Sequence, residues 1–202
     1  MKLYDFPPAP NPKKVRVYLA EKGIQMAIEP IDAISGANRT PAFLAKNPLG
    51  GLPVLELDDG TCLPESLAII EYLEELHPEP PMIGRTPLER ARVRATERIC
   101  ELGVLSNVAT VFQHTSPFFA TRVRQSPEAA ENGRARLAAT LGVVDRLIGD
   151  QPFVCGRQPT IADCTLFAAL EFAAFAGVAV APDLANLHRW HAAFRQRPSA
   201  GA

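Results

Sequence analysis

The sequence predicts an α/β unit followed by an all-helical unit. Over the first 78 residues, short apolar runs alternate with turn signals and helical segments, whereas the remainder follows an almost continuous helical pattern. The pattern changes at the proline-rich run 78–81, which cannot continue a helix and is typical of a linker. We therefore predict a first domain at residues 1–78, a linker at 79–87 and a helical domain at 88–202.

The composition narrows the classes of function. Apolar residues make up 47% of the chain and charged residues 21%, as in an ordinary globular protein, and the formal net charge of −1 favours neither nucleic acid nor an anionic membrane as a partner. Four cysteines without metal-ligand spacing fit a reduced compartment and predict no metal site. The amino terminus lacks the apolar run of a signal peptide, so a cytoplasmic location is expected.

The elements of the first part follow from turn and cap residues. Pro12 suits the first position of a helix, Gly23 suits the position after its end, and Asp58-Asp59-Gly60 supplies a tight turn. In chain order the prediction is a strand at 2–6, a helix at 12–22, a strand at 27–31, a short helix at 41–46, strands at 53–57 and 61–63, and a helix at 66–76.

The second part is predicted to be helical at 88–112, 129–148, from residue 160 onward, and at 184–194. The third of these helices begins with Thr160-Ile161-Ala162-Asp163, in which the hydroxyl and the carboxylate can cap each other's backbone amides. Asp163 and Glu171 lie inside the apolar run 161–181, so this run is predicted to be a buried core helix and not a membrane span.

Three short signals in the first domain suit the binding of an extended, anionic peptide. Leu52-Pro53 precedes a strand, where the proline cannot donate a ladder hydrogen bond; either a peptide pairs with this edge, or the proline simply opens an edge strand. Glu65-Ser66 lies at a strand-to-helix junction, where free amides welcome an anion; the alternative is that Ser66 only caps the helix. Asn11 precedes Pro12, where its amide either donates to a sulfur or oxygen anion or caps the helix.

The segments 10–24, 47–55 and 63–69, together with 160–163, resemble the cytosolic glutathione transferase family in order and in motif. The resemblance covers nearly the whole chain. It implies a thioredoxin-like first domain, a helical second domain, glutathione as co-substrate with no further cofactor, and a homodimer. It also implies that Pro53 is cis, that Leu52 pairs with the cysteinyl backbone of glutathione, and that Glu65 and Ser66 hold the γ-glutamyl end.

The chain departs from the family where the thiol should lie. Many bacterial, theta-like and zeta-like members have a serine six residues before Val15, whereas this chain has Ala9, and Tyr4 is expected to point to the other side of the sheet. Members resembling the bacterial nu class have a threonine and an asparagine two residues apart, of which this chain keeps only Asn11. Asn11 is therefore the predicted thiol-facing catalytic donor.

Two further sets of residues complete the predicted site. Asn38 and Arg39 are the candidates for the glycyl carboxylate, with a solvated Arg39 as the alternative. The second, apolar substrate is expected to contact the following residues: Pro8, Ala9, Pro10, Glu101, Leu105, Val108 and Phe112. The predicted reaction is attack of the glutathione thiolate on a small hydrophobic electrophile; a glutathione-dependent disulfide or peroxide reductase and a non-catalytic glutathione-binding protein are the alternatives.

Overall fold

The computed structural model describes all residues from Met1 to Ala202. The chain forms two compact units, one of Met1–Met82 with Pro198–Ala202, and one of Ile83–Arg197. None of the helices combines the length and apolarity that a membrane crossing requires.

The first unit is a four-stranded mixed sheet with helices. Its elements are β1 (Lys2–Asp5), α1 (Pro10–Lys22), β2 (Ala27–Pro30), a 3-10 turn (Ala37–Arg39), α2 (Pro41–Leu44), β3 (Val54–Glu56), β4 (Cys62–Pro64) and α3 (Ser66–Leu76). The strand order is β2-β1-β3-β4, with β1 parallel to β2 and the other neighbours antiparallel. The β-α-β unit followed by a β-hairpin and a helix confirms the predicted thioredoxin-like fold.

Helix α1 begins two residues earlier than predicted. Ala9 is its N-cap residue, so Pro10 occupies the first helical position, and Asn11 lies inside the first turn rather than at the cap. The fixed φ of proline suits any position in the first turn, which is why both Pro10 and Pro12 are accommodated there. The helix ends at Gly23, whose φ of 69° is the left-handed conformation that favours glycine.

The two faces of the sheet carry different side chains, as the alternation of a strand requires. Tyr4 and Val54 pack with Phe43 of α2 on one face, and the Tyr4 and Phe43 rings meet edge to face at 6.0 Å. The Tyr4 hydroxyl donates to Glu56 Oε2 at 2.7 Å, so it is engaged on the α2 face, as expected from the family resemblance.

A buried carboxylate joins α1 to α3. Glu74 Oε2 accepts a hydrogen bond from the Tyr18 hydroxyl at 2.7 Å and pairs with Lys22 Nζ at 2.9 Å. Glu74 Oε1 accepts from the Met82 backbone amide at 2.7 Å, and Lys22 Nζ also donates to the Pro80 carbonyl at 2.6 Å. A buried charge needs a partner and hydrogen bonds, and here both are provided from several elements at once. The network therefore fixes the carboxyl-terminal halves of the two helices beside each other.

The last residues of the chain pack on α1. Pro198–Gly201 form a 3-10 turn, and Lys13 Nζ donates to the carbonyls of Ala200 at 2.9 Å and Ala202 at 2.7 Å. The Ser199 hydroxyl also donates to Glu21. These contacts assign the segment to the first unit.

The second unit is all-helical, as predicted. Its elements are α4 (Pro87–Arg98), a π-helical stretch (Ile99–Leu105), α5 (Ser106–Thr115), a 3-10 turn (Pro117–Phe119), α6 (Pro127–Ile148), α7 (Ile161–Phe175) and α8 (Ala185–Phe194). The π-helical stretch lies within the segment predicted as one helix at 88–112. Gly103 lies in this stretch, and a Cβ there would come within 2.5 Å of the Thr140 methyl group of α6, so glycine allows this close packing.

Helix α7 begins with the predicted capping box and extends it into a buried network. Asp163 Oδ2 accepts from the Thr160 amide at 2.8 Å and hydroxyl at 2.9 Å, and Oδ1 accepts from the Val154 amide at 2.9 Å and Trp190 Nε1 at 3.0 Å. Burial raises the pKa of Asp163 from 3.8 to about 6, because desolvation of the ionised form outweighs these four hydrogen bonds. The folded state therefore binds this proton more tightly than the unfolded state, and the contribution of Asp163 to stability falls as the pH rises from about 4 to about 6.

Replacing Asp163 by alanine is expected to lower the free energy of unfolding by about 3–5 kcal/mol, because four buried donors lose their acceptor. Urea denaturation followed by circular dichroism measures this loss. Asp150→Ala, at an exposed position, is the matched control and should change stability by less than about 0.5 kcal/mol. Equal stabilities of the two variants would show that the network does not hold the second unit together.

Candidate anion-binding site

Three segments of the first unit meet at one end of its sheet. Strand β1 ends near Tyr4, which is paired with Val54 at the start of β3, and Val54 is in turn paired with Pro64 at the end of β4. The residues just beyond these pairs, in the segments 6–9, 52–53 and 65–66, therefore lie at the same end. This topology brings together the three segments that carried the sequence signals.

The first turn of α1 presents a single unused backbone donor. Pro10 and Pro12 have no N–H group, the Ala9 amide donates to the Phe6 carbonyl at 2.9 Å, and the Lys13 amide donates to the Ala9 carbonyl at 3.2 Å. Only the Asn11 amide remains, next to its own partly exposed side chain. Since a helix N-terminus carries roughly half a positive charge, Asn11 is the point where α1 can bind an anion.

The first turn of α3 lies beside that of α1. The Ile69 amide makes the first bond within the helix, to the Glu65 carbonyl at 2.9 Å, so the amides of Ser66, Leu67 and Ala68 have no partner in the chain. The Ser66 hydroxyl lies 3.5 Å from Asn11 Oδ1. The amino termini of two helices therefore converge, and both favour negative charge at the same place.

Glu65 has a strained backbone. Its φ of 73° is the only positive value at a residue other than glycine, and its side chain makes no capping hydrogen bond with α3. A non-glycine residue in this region costs on the order of 1–3 kcal/mol and is held there by its surroundings. This conformation turns the chain from β4, which ends at Pro64, into α3, which begins at Ser66.

Leu52 offers unpaired backbone groups at the same end. Its N–H and C=O groups make no hydrogen bond within the chain, because β3 pairing starts only at Val54. The Leu52-Pro53 peptide bond is cis, as expected from the family resemblance. An extended peptide can therefore pair with Leu52 in the manner of an added strand.

Asn38 and Arg39 hold the loop that leads to Leu52. Asn38 Nδ2 donates to the Gly50 carbonyl at 2.7 Å, and Arg39 Nη1 donates to the Leu49 carbonyl at 2.9 Å. At Gly50, with a φ of 62°, a Cβ would lie 2.7 Å from the Asn38 carbonyl oxygen, so this contact requires glycine. Asn38 Oδ1 is buried without a partner, which makes Asn38 an acceptor in this geometry, whereas Arg39 is exposed and keeps further donors.

An ion pair that the sequence reasoning did not identify supports the loop before α1. Arg16 of α1 pairs with Asp5, which is only 1% exposed at the end of β1, and Arg16 Nη2 donates to the Pro7 carbonyl at 3.0 Å. One guanidinium thus links the strand end, the loop and the helix. The planar guanidinium presents several N–H donors in fixed directions, so it can bond to the Asp5 carboxylate and the Pro7 carbonyl at once. A lysine ammonium group would meet this geometry only in part.

The residues predicted to contact the second substrate differ in exposure. In the first unit, Pro8 is exposed while Ala9 and Pro10 are partly exposed. In the second unit, Glu101 and Phe112 are partly exposed while Leu105 and Val108 are buried.

Phe112 lies at the centre of an aromatic cluster that the sequence reasoning did not identify. Its ring contacts those of Phe119 and Phe172 at 5.4 Å and that of Phe175 at 5.8 Å. Phe175 is 66% exposed. The cluster therefore gives the second unit an apolar aromatic surface.

Two of the three cysteines of the second unit are poor nucleophiles. Desolvation raises the pKa of the fully buried Cys100 thiol and, less strongly, that of Cys155, so both hold their protons at neutral pH. No cluster of three histidine, cysteine or carboxylate side chains that could hold a metal ion is present. Where α1 and α3 converge, the first unit offers backbone amides, an asparagine, a serine and a strained glutamate, which together suit an anionic peptide.

Comparison with known proteins agrees with this geometry. The family model "Glutathione S-transferase, N-terminal domain" matches residues 3–81, and the model "Glutathione S-transferase, C-terminal domain" matches residues 127–193. Glutathione S-transferase 2 of Saccharomyces cerevisiae is 36% identical over 98% of this chain and 87% of its own length. Maleylacetoacetate isomerase of Pseudomonas aeruginosa is 35% identical over 97% of this chain and 94% of its own length.

A solved structure is similar throughout. The crystal structure of a glutathione S-transferase domain-containing protein from Marinobacter aquaeolei superposes with a TM-score of 0.92 at 36% identity, covering 98% of this chain and 99% of the other. Sequence, fold and site geometry thus agree, and the chain belongs to the glutathione S-transferase family.

Proposed function

We propose that this protein is a glutathione transferase that binds glutathione where α1 and α3 converge and activates its thiol for attack on a small hydrophobic electrophile. The observation that carries the proposal is the 3.5 Å approach of the Ser66 hydroxyl to Asn11 Oδ1, which brings the two helix amino termini together. Two similar relatives are named for different reactions, a transferase and an isomerase, so they support glutathione chemistry without selecting the electrophile.

The γ-glutamyl end of glutathione is assigned to the start of α3. Its α-carboxylate would accept from the free amides of the first turn and from the Ser66 hydroxyl, and its α-ammonium group would pair with Glu65. These contacts are the same in the ground state and in the transition state, so they contribute to binding more than to the chemical step.

The middle and the glycyl end are assigned to the neighbouring loop. The cysteinyl N–H and C=O groups would pair with the unpaired Leu52 backbone, next to Pro53. Arg39 has spare donors for the glycyl carboxylate, while Asn38 would serve by holding the loop in place through Gly50. This assignment separates a charge-binding role for Arg39 from a positioning role for Asn38.

The thiol is assigned to Asn11. A free thiol has a pKa of about 8.5, and each unit by which that pKa is lowered requires about 1.4 kcal/mol of preferential thiolate stabilisation. The Asn11 backbone amide, its side-chain amide and the α1 dipole together can supply one or two units. The Ala9 side chain has no donor and its amide already donates to the Phe6 carbonyl, which leaves Asn11 as the proposed donor.

The second substrate is assigned to apolar side chains. Pro8, Ala9 and Pro10 precede the thiol-binding turn, and the partly exposed Phe112 belongs to the aromatic cluster. Leu105, Val108 and Glu101 complete the proposed set. A hydrophobic electrophile suits this set because, apart from the Glu101 carboxylate, its side chains offer no hydrogen-bonding groups.

Asn11→Ala is expected to raise the pKa of the bound glutathione thiol by about one unit and to lower turnover at neutral pH, because the side-chain donor is lost while the backbone amide stays. Asn11→Asp, which is isosteric but only accepts hydrogen bonds, should raise the pKa further. Ala9→Ser adds a hydroxyl and should lower it. Ultraviolet difference titration of the thiolate measures all three.

The affinity for an S-alkyl glutathione is the control, since it has no thiolate and should change little in these variants. Because Ala9 and not Asn11 is the N-cap residue, the thermal stability should also stay close to that of the parent protein. An unchanged thiol pKa in Asn11→Asp would overturn the assignment of Asn11. A normal thiol pKa in the parent protein would instead favour a non-catalytic glutathione-binding protein, and turnover with disulfides or peroxides alone would favour a reductase.

Ser66→Ala and Glu65→Ala should each weaken glutathione binding about tenfold while lowering kcat by less than about threefold, because both residues hold the end of the tripeptide remote from the thiol. Isothermal titration calorimetry gives the affinity, and steady-state kinetics gives kcat. Glu128→Ala, exposed in the first turn of α6, is the matched control. Unchanged affinity in both variants would show that the γ-glutamyl end binds elsewhere.

We also propose a symmetric homodimer in the cytoplasm, in which the first domain of one subunit pairs with the second domain of the other. The exposed apolar side chains of Leu49 and Leu102, 73% and 61% accessible, support such an association. Light scattering at micromolar concentration should give twice the mass of the chain, and Leu102→Glu should shift the protein towards monomer. A monomeric parent protein would contradict the proposal.

A further inference from the structure

The second unit contains an apolar cavity remote in sequence from every residue assigned to glutathione. We call it the α6 pocket; its volume is about 460 Å³, within the range of small-molecule sites. It is lined by residues of α5, of α6 and of the segment between α7 and α8, which are Val111, Thr115, Arg134, Leu137, Ala138, Leu141, residues 176–182 and Leu184.

The segment after α7 that lines the pocket carries mostly short side chains. Residues 176–182 read Ala-Gly-Val-Ala-Val-Ala-Pro, and Gly177, with a φ of 66°, turns the chain at the end of the helix. Both ends of the segment are held: the Val178 amide donates to the Ala173 carbonyl at 2.9 Å, and His188 Nε2 bonds to the Ala181 carbonyl at 2.8 Å. The wall is thus fixed, yet too small to fill the space beside α6.

The lining has one charge, and that charge is positive. Leu137 and Leu141 form an apolar base, while Arg134 of the same helix is the sole ionisable lining residue. Arg134 Nη1 lies 3.4 Å from Glu131, but both side chains are exposed, so this ion pair is weak and a ligand anion can compete with it. Charge complementarity therefore favours an anionic ligand.

Backbone donors among the lining residues also suit an anion. The backbone amides of Ala179, Val180 and Ala181 donate to no group in the chain. The Thr115 hydroxyl, by contrast, already donates to the Val111 carbonyl at 2.7 Å. The lining therefore combines free donors with apolar side chains, so the site is amphipathic.

We propose that the α6 pocket binds a small apolar carboxylate, with the carboxylate at Arg134 and the apolar body against Leu137, Leu141 and Val178. This site lies wholly in the second unit, uses none of the residues assigned to the thiol or the tripeptide, and goes beyond the proposed transferase function. The protein would then carry an organic acid at one site and glutathione at another.

Octanoate and 1-octanol are matched probes, since they differ in charge and share the chain. Isothermal titration calorimetry on the full-length protein should show octanoate binding more tightly than octanol. Arg134→Gln should weaken octanoate binding about three- to tenfold and leave octanol unchanged, as expected for an exposed charge-assisted contact. Arg136→Gln, exposed on the same helix but absent from the pocket, is the control and should change neither.

Ala138→Phe should weaken both probes, because the ring occupies the pocket from an exposed position on α6 that tolerates a larger side chain. Saturation with S-hexylglutathione distinguishes the α6 pocket from the glutathione site. If octanoate still binds to the saturated protein, the result supports the α6 pocket. The proposal would be overturned if S-hexylglutathione displaces octanoate and if neither Arg134→Gln nor Ala138→Phe changes the octanoate affinity. That result would place the acid at the second-substrate site. Absence of octanoate binding to the parent protein would overturn it as well, whatever the result for glutathione.

Discussion

The site depends on the buried contact between Glu74 of α3 and Tyr18 and Lys22 of α1. This contact holds the carboxyl-terminal halves of the two helices together, while Ser66 and Asn11 lie 3.5 Å apart at their amino termini. Contacts at both ends mean that the helices run side by side in the same direction. Their amino termini, each with roughly half a positive charge, therefore point to one place, which no single helix could make as favourable for an anion.

Residues around the two helix amino termini help to hold them in this arrangement. The strained Glu65 turns the chain from β4 into α3, and Arg16 joins the end of β1 to the loop before α1. Pro10 and Pro12 have no N–H group, which leaves the Asn11 amide as the single free backbone donor of the α1 turn. In the proposed function, backbone amides and the Asn11 side chain together stabilise the thiolate, which would let a chain with alanine at position 9 keep the chemistry of its family.

Much of this fold could be predicted because local signals agree with it. The bounds of α3 and the Gly23 cap were predicted as observed, and the Thr160–Asp163 capping box is present. The start of α1 was placed two residues late, because two prolines fit the same turn and the sequence does not say which is first. The π-helical stretch at Ile99–Leu105 was missed, since its apolar spacing resembles that of an α-helix and the close packing of Gly103 on Thr140 of α6 is a tertiary contact.

The segments that form the candidate site could be predicted from the sequence, whereas the contacts between them could not. Spacing located Leu52, Ser66 and Asn11, because each lies at a strand or helix end where backbone groups are unsatisfied. The pairing of Asp5 with Arg16, the use of Asn38 to hold Gly50, and the packing of residues 198–202 on α1 arise from tertiary proximity. No pattern within a single segment contains that information.

The measurement that tests the central claim most directly is the pKa of the glutathione thiol bound to the unaltered protein. If two converging helix amino termini and Asn11 stabilise the thiolate, ultraviolet titration of the complex should give a pKa one to two units below the free value of about 8.5. A bound thiol that titrates at the free value would contradict the claim that this convergence activates glutathione.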